Sequence, residues 1–97
     1  MTRKYELLYV INPAIGEEAI EQENERIQNI VAAQGEINQV DVWGKRRLAY
    51  EIQDEKEGYY VIVTFDSDPE YPKEIERLLR ISDSVLRYLV VRADEED

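Results

Sequence analysis

Apolar residues recur at every second position from Tyr5 to Ile11. Tyr5, Leu7, Tyr9 and Ile11 fall on one side, and the mixed set Lys4, Glu6, Leu8 and Val10 on the other. That spacing predicts a strand with one face fully buried. Asn12-Pro13 ends it, because proline has no amide proton to give a ladder. From Glu17 to Ala33 the period lengthens: Ile20, Ile27, Ile30 and Val31 share one side of a helix, while Glu17, Glu18, Glu21 and Glu25 lie mostly elsewhere. Glutamates in the first two turns suit the positive end of the helix dipole, and Gly35 stands where a helix stop belongs.

The pattern then returns to strands. Glu36 to Ile52 reads as one long strand with Ile37, Val40, Val42, Leu48, Tyr50 and Ile52 as apolar members and Gly44 as a bulge. A turn is expected at Gln53 to Gly58. Tyr59 to Phe65 is rich in β-branched and aromatic residues, and its odd positions Tyr59, Val61, Val63 and Phe65 are expected to face the helices. Ser67-Asp68-Pro69-Glu70 offers a capping side chain and an early proline. A short helix should start between Pro69 and Pro72 and end near Arg80, burying Ile75, Leu78 and Leu79. A last strand from about Ser84 to Arg92 places Leu86, Tyr88 and Val90 on the covered face, with Arg87, Leu89 and Val91 opposite.

Strand, helix, strand, strand, helix, strand is the α+β, ferredoxin-like βαββαβ arrangement: a four-stranded antiparallel sheet with both helices on one face. Right-handed crossovers give the strand order 4-1-3-2. The second strand is then an edge, whose unpaired backbone groups are open to a partner. Residues 1–93 are expected to form a single domain, followed by a short, frayed acidic tail at residues 94–97.

Composition narrows the chemistry. The chain has 97 residues, enough for one core, with 43% hydrophobic and 35% charged residues. Cysteine and histidine are both absent, which removes disulfides, thiolate nucleophiles, histidine acid–base catalysis and nearly every zinc site. No metal or cofactor is expected. No apolar run is long enough for a secretory signal or a membrane span, so a soluble cytoplasmic protein is expected. The formal charge of −10 argues against nucleic acid until its distribution is read. Residues 17–25 hold five glutamates and residues 94–97 four acids, with no base in either stretch. The other 84 residues carry 12 bases against 13 acids, so locally basic surfaces fit on an acidic molecule.

Most candidate chemistry dissolves on inspection. Asp66-Ser67-Asp68 begins like a calcium loop, but Tyr71 stands where that loop needs glycine and Arg77 where it needs glutamate; helix capping is the better reading. The glutamates of residues 17–25 read as a solvated helix face. No glycine-rich phosphate loop exists, and Ser67, Ser82 and Ser84 have no histidine to activate them.

Two features remain. Lys45-Arg46-Arg47 puts three bases beside Trp43 on the expected edge strand, with no acid between Val42 and Tyr50. Such charges can simply discourage edge-to-edge pairing, or they can meet phosphates or a protein partner; both can hold together. The second feature is the sheet face without helices, where Leu8, Val10, Tyr60, Ile62, Leu89 and Val91 are expected to face out around Arg87. A monomer rarely leaves such a patch bare, which points to a self-dimer, a protein partner or stacked bases.

Trp43-Gly44-Lys45-Arg46-Arg47-Leu48-Ala49-Tyr50-Glu51-Ile52 resembles the signature of the bacterial small-subunit ribosomal protein six family. Tyr5-Glu6, Asn12-Pro13 and Leu79-Arg80-Ile81-Ser82-Asp83 extend the likeness over nearly the whole chain. The resemblance implies a ferredoxin-like fold without enzymatic activity. It also implies binding to the central domain of small-subunit (16S) ribosomal RNA, as a heterodimer with small-subunit ribosomal protein eighteen, during subunit assembly. In that family the second strand with its arginine pair belongs to the partner and RNA surface, which carries onto Arg46 and Arg47. For Arg3, Lys4, Arg80, Arg87 and Arg92 the family supplies plausibility only. The alternative from a different class is a ferredoxin-like regulatory or interaction domain that binds only proteins.

Overall fold

The computed structural model describes residues 2–52 and 55–93. Its strands are β1 (Arg3–Ile11), β2 (Gly35–Ile52), β3 (Glu55–Ser67) and β4 (Val85–Arg92), and its helices are α1 (Glu17–Gln34) and α2 (Tyr71–Arg80). The sheet order is β2-β3-β1-β4, with every neighbouring pair antiparallel. This is the expected ferredoxin-like α+β arrangement. The turn expected at Gln53 to Gly58 is instead largely strand, since β3 already begins at Glu55; Gln53 and Asp54 lie outside the described residues, as does the acidic stretch 94–97.

The alternation in β1 and β3 builds the core. Leu7, Tyr9, Ile11, Val61, Val63 and Phe65 are completely enclosed, and α1 meets them with Ile20, Ile27 and Val31, α2 with Ile75 and Leu79. Burying one such side chain stabilises the fold by roughly 1.5–3 kcal/mol, so this layer dominates the molecule's energetics. Leu78 stays only half-buried and outside this cluster, while Pro72 is the third buried residue of α2. Leu86 is likewise displaced: a bulge opposite Val10 and Ile11 shifts the register, so Val85 takes the core position pairing with Ile11.

Polar groups tie the layers. The buried Tyr9 hydroxyl donates to the Asn24 side-chain oxygen, joining β1 to α1, and burial raises its phenol above the ordinary value. Glu23 pairs with Arg26 at 2.6 Å and accepts a 2.6 Å hydrogen bond from Ser82 Oγ in the α2–β4 loop. One of the helix-face glutamates therefore has a structural task. The cap expected from Ser67 or Asp68 takes another form: no side chain caps the first turn at Glu70, and Tyr71 N donates to the Asp68 carbonyl. Gly35 does end α1, but in extended backbone. A Cβ there would lie 2.1 Å from the Asp66 carbonyl oxygen, so glycine is required by space.

Candidate functional site

Edge strand β2 follows β3 with two breaks in register before its cationic stretch. Asn38 is an extra residue between Ile37 and Gln39, and Trp43 is another between Val42 and Gly44. Gly44 has φ +79°, a left-handed conformation that glycine adopts without steric cost. Such bulges twist an edge away from unwanted pairing and re-aim the side chains downstream. Immediately downstream of Gly44 lies the cationic triplet.

Lys45 pairs with Tyr59, the last β3 residue that β1 reaches, while Arg46 pairs with Gly58 and Arg47 with Glu57 beyond the end of β1. The two-residue period sends Lys45 and Arg47 to the helix side and Arg46 to the helix-free side. All three are exposed, and among the described residues none enters an ion pair; Arg46 Nη1 merely donates to the Lys45 carbonyl at 3.2 Å. The Trp43 indole is 47% exposed and donates to Asp41 at 3.1 Å. A bare row of cations beside an exposed aromatic can meet phosphates and a flat or apolar partner group together.

Beyond Arg47 the ladder is interrupted, for the next pair is Ile52 with Glu55. Residues 48–51 therefore leave the regular ladder, and Leu48, Tyr50 and Ile52 line a shallow groove with Leu8, Val10 and Arg87 on the helix-free face. Leu48 and Val10 converge on Gly58, where a Cβ would stand 2.3 Å from Val10 Cγ1 and 3.2 Å from Leu48 Cδ2. Arg87 Nη1 donates to the Tyr50 hydroxyl at 3.1 Å, linking the end of β2 to β4, strands at opposite edges of the sheet.

The far part of β2, residues 44–52, forms an arm that folds over this face and corrects the expected open patch. Val10 is on the helix-free face but only 1% exposed, because Leu48 and the glycine beneath it close over that position. Leu8, Tyr60 and Ile62 are half-buried; Leu89 and Val91 remain 48% and 44% exposed. The apolar surface that stays exposed is a narrower band along β4 and the middle of β1 and β3.

The nine basic and aromatic candidates do not form one site. Trp43, Lys45, Arg46, Arg47 and Arg87 gather at the arm. Arg3, Lys4 and Arg92 sit at the other end of β1 and β4, where Arg92 pairs with Tyr5 and Ala93 N donates to the Lys4 carbonyl. The nine residues of β1 separate the two groups by roughly 25 Å at about 3.3 Å per residue. Arg80 lies in the helix layer, in the last turn of α2. Tyr50, Leu48 and Gly58 belong to the arm although only their strand or turn character was expected. The glycine placed directly before an aromatic–β-branched strand was the available signal.

Among the described residues no group of three or more acidic side chains could hold a metal ion, and no helix is long and apolar enough to cross a membrane. The family model described as "Ribosomal protein S6" matches residues 4–92. The chain is 48% identical over 94 residues to small ribosomal subunit protein bS6 of Caldanaerobacter subterraneus subsp. tengcongensis, covering 96% of this chain and 99% of that one. Its identity to bS6 of Clostridium acetobutylicum is 45%, covering 95% and 98%. The crystal structure of 30S ribosomal protein S6 from Thermotoga maritima superposes with a TM-score of 0.90 at 32% identity, covering 95% of this chain and 88% of that one. A divalent ion tolerance protein, CutA1 from Ehrlichia chaffeensis, shares the fold alone, with a TM-score of 0.54 at 14% identity.

Proposed function

The chain belongs to the ribosomal protein S6 family, and from that premise we propose that it binds the central domain of 16S ribosomal RNA together with small-subunit ribosomal protein eighteen. Membership makes it a structural, non-enzymatic component of the small ribosomal subunit in the cytoplasm. The observation that supports the finer reading is the arm: Lys45, Arg46 and Arg47 exposed, outside any described ion pair, next to a half-exposed Trp43. With a net charge of −10, the molecule is repelled by RNA at long range. A protein partner seated on the Leu89–Val91 band supplies further positive surface, and the arm adds local phosphate contacts.

The test is a gel-shift assay with a central-domain 16S transcript, small-subunit ribosomal protein eighteen and this chain. Arg46→Glu with Arg47→Glu should leave the protein folded and abolish the three-component complex. Neutralising both to Ala should flatten the salt dependence of assembly by roughly two phosphate contacts, each worth a slope of about 0.7–0.9. The exposed apolar band supports a second version, in which the arginines touch only the protein partner; affinity then falls while the salt slope holds. Normal assembly of the charge-reversed protein would return the triplet to the role of edge-strand guards.

A further inference from the structure

We propose that Tyr50 and Arg87 are positioning residues: their hydrogen bond clasps the arm onto the helix-free face and fixes the direction in which Lys45, Arg46 and Arg47 point. The inference rests on the function proposed above and adds to it the means by which the cations are aimed.

Three observations converge. The triplet lies between a left-handed glycine, Gly44, and a segment whose ladder is broken from Arg47 to Ile52. The triplet itself pairs with Tyr59, Gly58 and Glu57, which sets the face each cation takes, but with both flanks irregular a ladder of three pairs leaves the tilt of the segment against the sheet to other contacts. What remains is contact with the sheet: Leu48 over Gly58 and Val10, and the 3.1 Å bond from Arg87 Nη1 to the Tyr50 hydroxyl. Tyr50 is 62% exposed, so burial does not hold its ring; its hydroxyl is its attachment. Arg87 belongs to β4 and is anchored through the pairing of Arg87 with Val10 on the central strand, so the clasp ties a loosely paired edge to a fixed point.

Tyr50→Phe deletes only the hydroxyl and leaves every charge in place. In the free full-length protein it should speed amide hydrogen exchange at the paired residues 45–47 about fivefold, with exchange in β1 and the helices unchanged. It should weaken three-component assembly by a similar factor, as expected for one net hydrogen bond. Arg87→Met should produce the same local exchange effect, and the double variant no more than either alone, because both changes break one bond. Arg87→Lys, which can still donate to Tyr50, should restore most of the protection. Unchanged exchange at residues 45–47 in Tyr50→Phe overturns the clasp. Faster exchange with undiminished assembly, while the Arg46/Arg47 charge reversal still abolishes it, overturns the positioning role and leaves the proposed function standing. If charge reversal itself has no effect, the proposed function falls and the positioning role with it.

Discussion

On the helix side of the sheet, Leu7, Tyr9, Ile11, Val61, Val63 and Phe65 are sealed by apolar stripes of α1 and α2; on the other side Val10 is sealed just as well by an arm of the sheet itself. The helices cover a whole face by periodic contact. The arm covers one end of a face by a bulge, a glycine and a single polar clasp, and leaves Leu89 and Val91 about half exposed. The first arrangement maximises buried area and hence stability. The second sacrifices area, holds three cations clear of the body of the protein and keeps an apolar band accessible. Under the proposed function, stability belongs to the helix side, and recognition to the helix-free band together with the β2 edge.

That division predicts unequal penalties, and the largest belongs to the helix side. Phe65 is fully enclosed and stacks on Tyr5 with ring centroids 5.7 Å apart. Phe65→Ala should cost about 3–5 kcal/mol in urea unfolding, combining lost transfer energy with the cavity left behind. A loss that size is a large share of a small domain's total stability. A penalty below about 1 kcal/mol would show that the helix layer is not the main source of stability.

The two space-filling glycines sharpen the comparison. At Gly35 an added Cβ meets the Asp66 backbone oxygen at 2.1 Å, and backbone in a ladder cannot step aside. At Gly58 it meets Val10 and Leu48 side chains, and Leu48 belongs to the arm, which can lift. Gly35→Ala should therefore cost about 3 kcal/mol and Gly58→Ala only about 1–2 kcal/mol, both within the usual range for overpacking. Their signatures differ as well. Gly35→Ala should lower the unfolding midpoint alone, whereas Gly58→Ala should also accelerate hydrogen exchange at residues 45–47.

The unequal faces also explain what the sequence made legible. Helix-side positions repeat with the period of their element, so Ile20, Ile27 and Val31 on α1 and the odd residues of β3 could be picked out from spacing alone. Bulges interrupt that reading, because one inserted residue reverses every side chain after it. Leu86 lost its core place to Val85 for this reason. The cations of the arm were visible as a run, but not the hydrogen bond between Arg87 and Tyr50 next to them, since those residues are 37 positions apart and meet where the ladder fails after Arg47. No local pattern encodes a contact between opposite edges of a sheet.

A smaller effect is expected from Glu23, at the layer boundary. Its hydrogen bond with Arg26 holds its carboxyl below the usual 4.5, assisted by Ser82. A carboxylate depressed in the folded state contributes stability that is present above its unfolded value and lost as pH falls through the folded one. Glu23→Gln should therefore cost about 1 kcal/mol at pH 7, given the exposure of Arg26. The gap from the parent protein should close as pH drops below about 4.5. A gap that stays constant from pH 7 to pH 3 would mean that packing, and not charge, accounts for the cost. Neither face should differ in this respect, because the group sits between α1 and the α2–β4 loop rather than on the sheet.

The smallest effect on stability should come from Leu89→Ser, and it tests the division most directly. Leu89 pairs with Leu8 on the helix-free face and is 48% exposed. A half-exposed side chain outside the core recovers little burial energy, so the change should stay within about 0.5 kcal/mol by urea unfolding. If the band it belongs to is the seat of a protein partner, the same substitution should weaken three-component assembly much more than it weakens the fold, without altering the salt slope, because it removes apolar area and no charge. Phe65→Ala should do the reverse, lowering stability first and affecting assembly only through the fraction unfolded. Equal losses of stability and assembly in Leu89→Ser would mean that this band is ordinary sheet surface and that the two faces differ in cover alone, not in purpose.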